Sequence, residues 1–289
     1  MTLLLAVVFQ DADPVELKWS TTKGTAWHYE ARLVMGTTID GEAYGEKQDS
    51  LFGLRLEVDE VLSDGLWLKV TYERIRFSLT GGKGDYEYDS ADPKEPLKDT
   101  RAMMQAALVG GSFRLRLSAQ GQAEEVDGMA ALTKDAFPRL KKRGFSADGL
   151  KSFQGFYTDE NVKNTFQLFF PTLAQEKTAP GKTWSREVTL KDSQIGVITK
   201  TTSYTFKELR KEKSEAVIQG ETAYQVDASK AEDREMAERI KMSEKLAVVW
   251  DVTSGRLTSL ETVSAKAMSL TGSKVVVETR SSMTLKPEK

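Results

Sequence analysis

Apolar and polar residues alternate along the N-terminal part of the chain. In the stretch WHYEARLVM, residues 27–35, every second residue is apolar or small, whereas His28, Glu30 and Arg32 fill the positions between them. A repeat of two places alternate side chains on opposite faces of a β-strand, so the stretch predicts a long antiparallel strand with one buried face. The same alternation recurs over residues 54–59 and 66–72 and resumes from residue 183 onward.

A helical pattern replaces this alternation in the middle third of the chain. Residues 95–111 carry apolar side chains at helical spacing, and residues 129–137 predict a helix that ends at Pro138. Residues 146–171 predict two short helices in succession. The polar segment 229–238 fits either a short helix or a loop.

One short skeleton occurs twice. KGTAWHYEARL at residues 23–33 and PGKTWSREVTL at residues 180–190 both carry Gly, Trp, Glu and Leu at three-residue steps. The repeat predicts two similar units whose first strands start at Trp27 and Trp184, although chance similarity of a short skeleton is the alternative. We therefore expect a β-dominated α+β fold with two similar antiparallel β halves, made of long strands and hairpins and bridged by helices in the middle third. Whether the halves form one sheet or two stays open.

The change from strand to helix patterns divides the chain into four segments. Residues 1–12 are expected to be a signal-peptide remnant or a disordered start, and residues 13–144 a first β-rich half with helices. Residues 145–179 are expected to form a helical connector. Residues 180–289 are expected to form a second β-rich half.

The first residues favour export. The apolar run from Leu3 to Phe9 has the length of a signal-peptide core, although no Lys or Arg precedes it, and a short buried strand is the alternative. No other apolar run approaches the roughly 18 residues of a membrane span. We expect an exported protein, periplasmic or extracellular, without a membrane span.

Composition excludes several kinds of site. The chain has 289 residues with 41 Lys and Arg against 43 Asp and Glu, so it has no basic surplus for nucleic acid. Cysteine is absent, which excludes disulfides, thiolate metal sites and thiol nucleophiles. A Ser-His-Asp triad would have to use the single histidine, His28, but the chain contains no Gly-x-Ser-x-Gly motif for the nucleophile. An enzyme is therefore disfavoured, and no cofactor is expected.

One acidic stretch is a candidate metal site. Asp85, Glu87 and Asp89 lie close together in the segment GGKGDYEYDSADPKEP. Hard cations such as Ca²⁺ bind clustered carboxylates, but the spacing lacks the EF-hand pattern and a solvated connection explains it as well.

Aromatic residues are candidates for an apolar binding site. They could line a cavity between sheet and helices, or they could fill the core. The candidates are the two strand-opening tryptophans and four phenylalanines of the middle helices: Trp27, Trp184, Phe153, Phe156, Phe166 and Phe169.

Several phrases of the sequence resemble a known family. They are LKWSTTKGTAWHYEARL, YDSADP, GGSFRLRLSAQGQAEEVDGM, FFPTLAQEKTAPGKTW and VVWDVTSGRL. Together they are similar to an uncharacterised family of exported bacterial proteins, a domain of unknown function often described as lipoproteins or hypothetical secreted proteins. The resemblance implies an extracytoplasmic setting and a β-rich body. It transfers no active site, and this chain lacks the anchoring cysteine of the lipoprotein members.

Three functions remain after this elimination. The first is a non-enzymatic binding or envelope-associated protein that holds an apolar ligand, lipid-like or peptide, between curved sheets and helices. The second is a structural module that docks on an envelope assembly through an exposed edge strand. The third is a metal-assisted hydrolase that uses Asp85, Glu87 or Asp89.

Overall fold

A computed structural model describes residues 13–82, 84–93, 97–192, 195–270 and 273–287. The chain is 54% strand and 19% helix, and its helices lie mostly in the middle of the sequence. The predicted β-dominated fold with antiparallel halves and central helices is confirmed. The expected signal-peptide remnant, residues 1–12, lies outside the described residues.

Within these residues the chain forms twelve strands and five α-helices. The strands are β1 (Ala26–Ile39), β2 (Glu42–Val61), β3 (Gly65–Gly81), β4 (Tyr86–Asp89), β5 (Ser112–Ser118), β6 (Ala123–Asp127), β7 (Thr183–Asp192), β8 (Gly196–Arg210), β9 (Glu215–Asp227), β10 (Lys241–Asp251), β11 (Arg256–Leu270) and β12 (Ser273–Leu285). The helices are α1 (Thr100–Ala106), α2 (Met129–Lys142), α3 (Ala147–Phe156), α4 (Asp159–Phe166) and α5 (Arg234–Arg239).

All twelve strands belong to one antiparallel sheet. Its order is β6-β5-β3-β2-β1-β12-β11-β10-β9-β8-β7, and β4 pairs with β3 beside this path. Each half is therefore a run of strands that are near neighbours in sequence, and the two runs join where β1 pairs with β12. At this central pairing Tyr29 lies opposite Leu285 and Ile39 lies opposite Val275. The question of one sheet or two is thereby answered, whereas the four-segment division stays a prediction.

The alternation in the sequence decides which face of the sheet is buried. On β1, Trp27 and Tyr29 are buried on the inner face, whereas His28 is exposed on the opposite, outer face. The outer face carries ion pairs between neighbouring strands, such as Arg32 with Asp49. The helix-covered inner face is apolar near the middle of the sheet because the in-phase residues of β1, β2 and β3 are apolar.

Two helices of the middle third begin at side-chain caps, and a third helix continues past a proline. Ser146 and Thr158 cap α3 and α4, because each side-chain oxygen accepts a hydrogen bond from a backbone N–H of the first turn. The prediction that Pro138 ends a helix is wrong, because α2 continues to Lys142. Burial of Leu140, two residues further along, stabilises the helix beyond the missing Pro138 N–H.

The segment before β1 packs across both halves of the sheet. Val15 pairs with Thr178, and the N–H of Ser20 donates to the carbonyl of Gly255 at 2.6 Å. Between these two points Trp19 is buried, with its ring centroid 4.7 Å from that of Trp250 on β10 and 6.0 Å from that of Trp27 on β1. These contacts tie the two halves into a single core cluster.

Candidate functional site

An apolar cleft lies between the inner face of β1, β2 and β3 and the helices α3 and α4. Its volume is about 90 Å³. The sheet contributes Ala31, Phe52, Leu54 and Tyr72, and the helical region contributes Phe156, Tyr157, Asn161, Val162, Thr165, Phe166 and Phe169.

The turn between α3 and α4 positions the helical side of this cleft. Thr158 starts α4 immediately after α3 ends, which leaves Phe156 and Tyr157 at the junction. The side-chain amide of Asn161 donates to the carbonyls of Gly155 at 3.0 Å and of Phe156 at 3.3 Å. These bonds hold the turn so that the two aromatic rings border the cleft.

The cleft carries no charge of its own at physiological pH. Burial raises the pKa of Tyr72 and of Tyr157 well above the ordinary value for tyrosine, so both phenols stay neutral. The remaining lining groups are apolar side chains, the Thr165 hydroxyl and the Asn161 amide. An uncharged hydrocarbon group is the chemical class that suits this surface.

Three of the six predicted aromatic residues line this cleft. Phe166 and Phe169 are buried in its wall, and Phe156 stands at its edge with 64% of its surface exposed. Phe153 does not line the cleft and lies fully buried beside it, with its ring centroid 5.0 Å from that of Tyr157. The ligand-binding role of these residues stays a prediction.

The two strand-opening tryptophans lie in different parts of the sheet. Trp27 is buried in the middle of the sheet, on β1. Trp184 is half-buried on β7, at one end of the strand order, where its ring stacks on Tyr204 at 5.6 Å and its indole N–H donates to the carbonyl of Thr172 at 2.8 Å. Both side chains pack against the same core, but neither lines the apolar cleft.

The three predicted metal ligands bind groups of the protein. Asp85 accepts the N–H of Gly81 at 3.2 Å, and Glu87 pairs with Arg76 at 2.8 Å. Asp89 pairs with Arg74, whose hydrogen bond lowers the pKa of the Asp89 carboxyl. Across the described ranges, no three His, Asp or Glu side chains are grouped so that they could hold a metal ion. The metal site stays a prediction.

A second cavity lies on the inner face of β7, β8 and β10 and has a volume of about 110 Å³. We call it the polar cavity, because Arg186, Lys200 and Glu244 line it together with apolar side chains. Sequence reasoning missed it. The sequence does contain a signal for this cavity. Each of the three charged residues falls at an inward-facing position of its strand, two residues from buried or half-buried neighbours on the same face.

The fold therefore presents one helix-covered antiparallel sheet with an apolar cleft at its inner face. In the part of the chain that the structure describes, no helix is long and apolar enough to cross a membrane. Residues 65–255 match the family of unknown function DUF6263, and the chain belongs to this family. The resemblance to a domain of unknown function is thereby confirmed.

Comparison with curated proteins finds no match. Among solved structures, the chain is similar to lipovitellin, in a structure of its lipid–protein interactions, with a TM-score of 0.52 and 11% identity over 93% of this chain. The chain spans 26% of the lipovitellin chain, and the likeness concerns the fold alone. A further match is Ail, the attachment invasion locus protein of Yersinia pestis, at 5% identity over 91% of this chain and 98% of that one. Its TM-score of 0.18 carries no argument.

Proposed function

We propose that this chain is a non-enzymatic binding protein that holds an apolar ligand in the cleft between the sheet and α3–α4. The observation that carries the proposal is the uncharged lining of that cleft, with the exposed Phe156 at its edge. An exposed aromatic ring beside an apolar opening is the arrangement expected where hydrocarbon enters a protein.

The cleft volume limits which part of the ligand is enclosed. At about 90 Å³ the cleft is smaller than the roughly 150 Å³ cavity that accommodates benzene. It therefore accepts the end of an alkyl chain or a small apolar side chain, with the rest of the ligand outside. A larger ligand requires α3 and α4, helices of 10 and 8 residues, to move away from the sheet.

The fold likeness to lipovitellin supports an apolar ligand in a second way. The matching structure concerns lipid–protein interactions of that protein. In this chain, a sheet with one helix-covered apolar face provides a surface that suits a hydrocarbon chain. We take a lipid-like chain as the first ligand to test and an apolar peptide as the second.

A neutral fluorescent probe tests this proposal. Laurdan, a neutral naphthalene dye whose unbranched alkyl tail can enter the cleft end-on, should bind the purified protein, and Thr165→Trp should weaken binding at least about tenfold because the indole fills the mouth of the cleft. The matched control is Thr189→Trp, at an exposed threonine of β7, which should bind like the wild type. Equal affinity in wild type and Thr165→Trp would contradict the proposal.

A second pair of variants tests the edge of the cleft. Phe156→Ala removes an aromatic ring that is 64% exposed, and Tyr44→Ala removes one that is 62% exposed near the start of β2. Only Phe156→Ala should weaken binding of the probe. Because both rings are largely exposed, neither change should lower the thermal midpoint by more than about 2 °C.

We also propose that the protein acts outside the cytoplasm. The apolar run Leu3–Phe9 supports export. Fractionation of cells that produce the full chain, followed by N-terminal sequencing of the mature protein, tests this step. A cytoplasmic protein that retains Met1 would overturn export and would leave the proposal for the cleft intact.

Docking through an edge strand is a second candidate function. Strand β7, ten residues long, ends the described strand order, so one of its backbone edges is not paired within that order. A long edge of this kind pairs readily with a strand from another protein. Slowed amide exchange in β7 on addition of envelope extract, without change in β2, would favour docking.

A further inference from the structure

The polar cavity differs from the apolar cleft in charge and in position. Phe166 borders the cleft and Phe170 borders the polar cavity, and their rings stack with centroids 6.3 Å apart between the two spaces. Leu246 and Leu260 give the polar cavity an apolar wall. The charged side chains come from β7 (Arg186), β8 (Lys200) and β10, where Glu244 lies two residues from Leu246 on the same face.

Among the described lining residues, Glu244 provides the only carboxylate, and the protein engages it fully. Glu244 is 6% exposed and forms an ion pair with Lys200 at 2.7 Å. The hydroxyls of Thr222 and Tyr224 each donate to its carboxylate at 3.1 Å. Lys200 and Glu244 therefore neutralise each other, and neither charge is left to balance a third group.

Arg186 is the third charged residue of the polar cavity, and the Lys200–Glu244 ion pair does not neutralise it. Among the described residues no carboxylate lies in ion-pair contact with its guanidinium, and its hydrogen-bond partner is the hydroxyl of Thr172 at 3.4 Å. Burial lowers the pKa of Arg186, and the opposing influences of Tyr204 and Glu124 are weaker. A half-buried guanidinium with one long hydrogen bond retains most of its five N–H donors for another acceptor.

The chemistry of that acceptor follows from the lining. A guanidinium binds carboxylate and phosphate oxygens through paired N–H donors. The volume of about 110 Å³ is close to that of three or four water molecules, so it fits one small oxyanion and not a whole lipid. The wall of Leu246 and Leu260 allows an apolar body to be attached to the anion.

We propose that the polar cavity is an oxyanion-binding site, in which Arg186 binds a carboxylate or phosphate group and the leucine wall contacts the apolar part of the same molecule. The site is separate from the apolar cleft and does not depend on the proposal for that cleft. It explains why an arginine with no carboxylate in ion-pair contact among the described residues is retained on the inner face of a sheet, where an apolar residue would be more stable.

Calorimetric titration with octanoate, octyl phosphate and octanol tests the site. The two anions should bind wild-type protein at least about tenfold more tightly than octanol, because a hydrogen bond to a charged group strengthens binding by that order. Arg186→Gln should remove this preference, and Arg186→Lys should retain part of it. Arg280→Gln, at a largely exposed arginine of β12, is the matched control and should bind like the wild type.

Acetate and inorganic phosphate separate the two sources of the anion. Weaker binding of acetate than of octanoate, and of inorganic phosphate than of octyl phosphate, would assign the site to headgroups and support the leucine contact. Equal binding within each pair would assign the site to free anions and would overturn the leucine contact. Thermal unfolding gives a readout that needs no ligand, since Arg186→Gln should raise the midpoint by a few degrees when a buried unpaired charge is removed. Equal anion affinity in wild type and Arg186→Gln, or no preference for the anions over octanol, would overturn the proposal.

Discussion

The Lys200–Glu244 ion pair provides a quantitative test of how the polar cavity is stabilised. The Glu244 side chain is 6% exposed and that of Lys200 is 21% exposed, so both charges lie largely out of water. Lys200→Met leaves the Glu244 carboxylate buried without a counter-charge. Such a change costs about 3–5 kcal/mol, and we expect the lower end, about 3 kcal/mol, because Thr222 and Tyr224 still donate to the carboxylate.

The double variant Lys200→Met/Glu244→Leu should be more stable than Lys200→Met alone. It removes both charges together and leaves two hydroxyls without their acceptor, of which Thr222 keeps its bond to Thr202 at 2.9 Å. We therefore expect a net loss of about 1 kcal/mol relative to wild type. Urea unfolding followed by tryptophan fluorescence and circular dichroism measures the free energies of all four proteins in the cycle. If the double variant lost the sum of the two single losses, the two residues would act independently and the reasoning would be refuted.

Two further predictions concern stability. The hydrogen bond from Arg74 lowers the pKa of the Asp89 carboxyl in the folded protein. The stabilisation from this bond is therefore present above the pKa that Asp89 has in the unfolded chain, near pH 4, and is lost as the pH falls through its pKa in the folded protein. Asp89→Asn should therefore lower the free energy of unfolding by about 1 kcal/mol at pH 7, a value already discounted because Arg74 is exposed. The difference in thermal midpoint between wild type and Asp89→Asn should be smaller at pH 3, and an equal difference at both pH values would contradict this assignment. Pro138→Ala should raise the thermal midpoint and increase the free energy of unfolding by about 1 kcal/mol or more, because alanine restores a hydrogen-bond donor inside α2. A lower midpoint would mean that the proline ring is needed for packing.

Local features of the fold were predictable from sequence, and the order of the strands was not. The alternation around Trp27 reports which face of β1 is buried, because burial acts on each residue of a strand separately. The pairing of β1 with β12 joins residues as distant as Tyr29 and Leu285, and no local pattern encodes that contact. The shared skeleton at Trp27 and Trp184 correctly indicates two strand starts, but it does not show that one strand is central and the other ends the strand order.

The candidate site was predictable to a similar extent. Helical spacing identified Phe166 and Phe169, yet the exposure of Phe156 depends on the turn between α3 and α4. The polar cavity could have been suspected from charged residues that share a strand face with apolar ones, as Glu244 does with Leu246. Their proximity depends on β8, β9 and β10 being adjacent, which the sequence alone does not reveal.

The central pairing has a consequence for how the protein folds during synthesis. Strands β1, β2 and β3 are near neighbours in sequence and can pair early, but the free edge of β1 must wait for β12, which follows the other described strands in the sequence. Because closing a contact of such long sequence separation is slow, an intermediate with two preformed half-sheets and an open β1 edge should accumulate before the final step. In that interval the β1 edge is available to the wrong partner, so a chaperone that shields extended edges would increase the yield of folded protein.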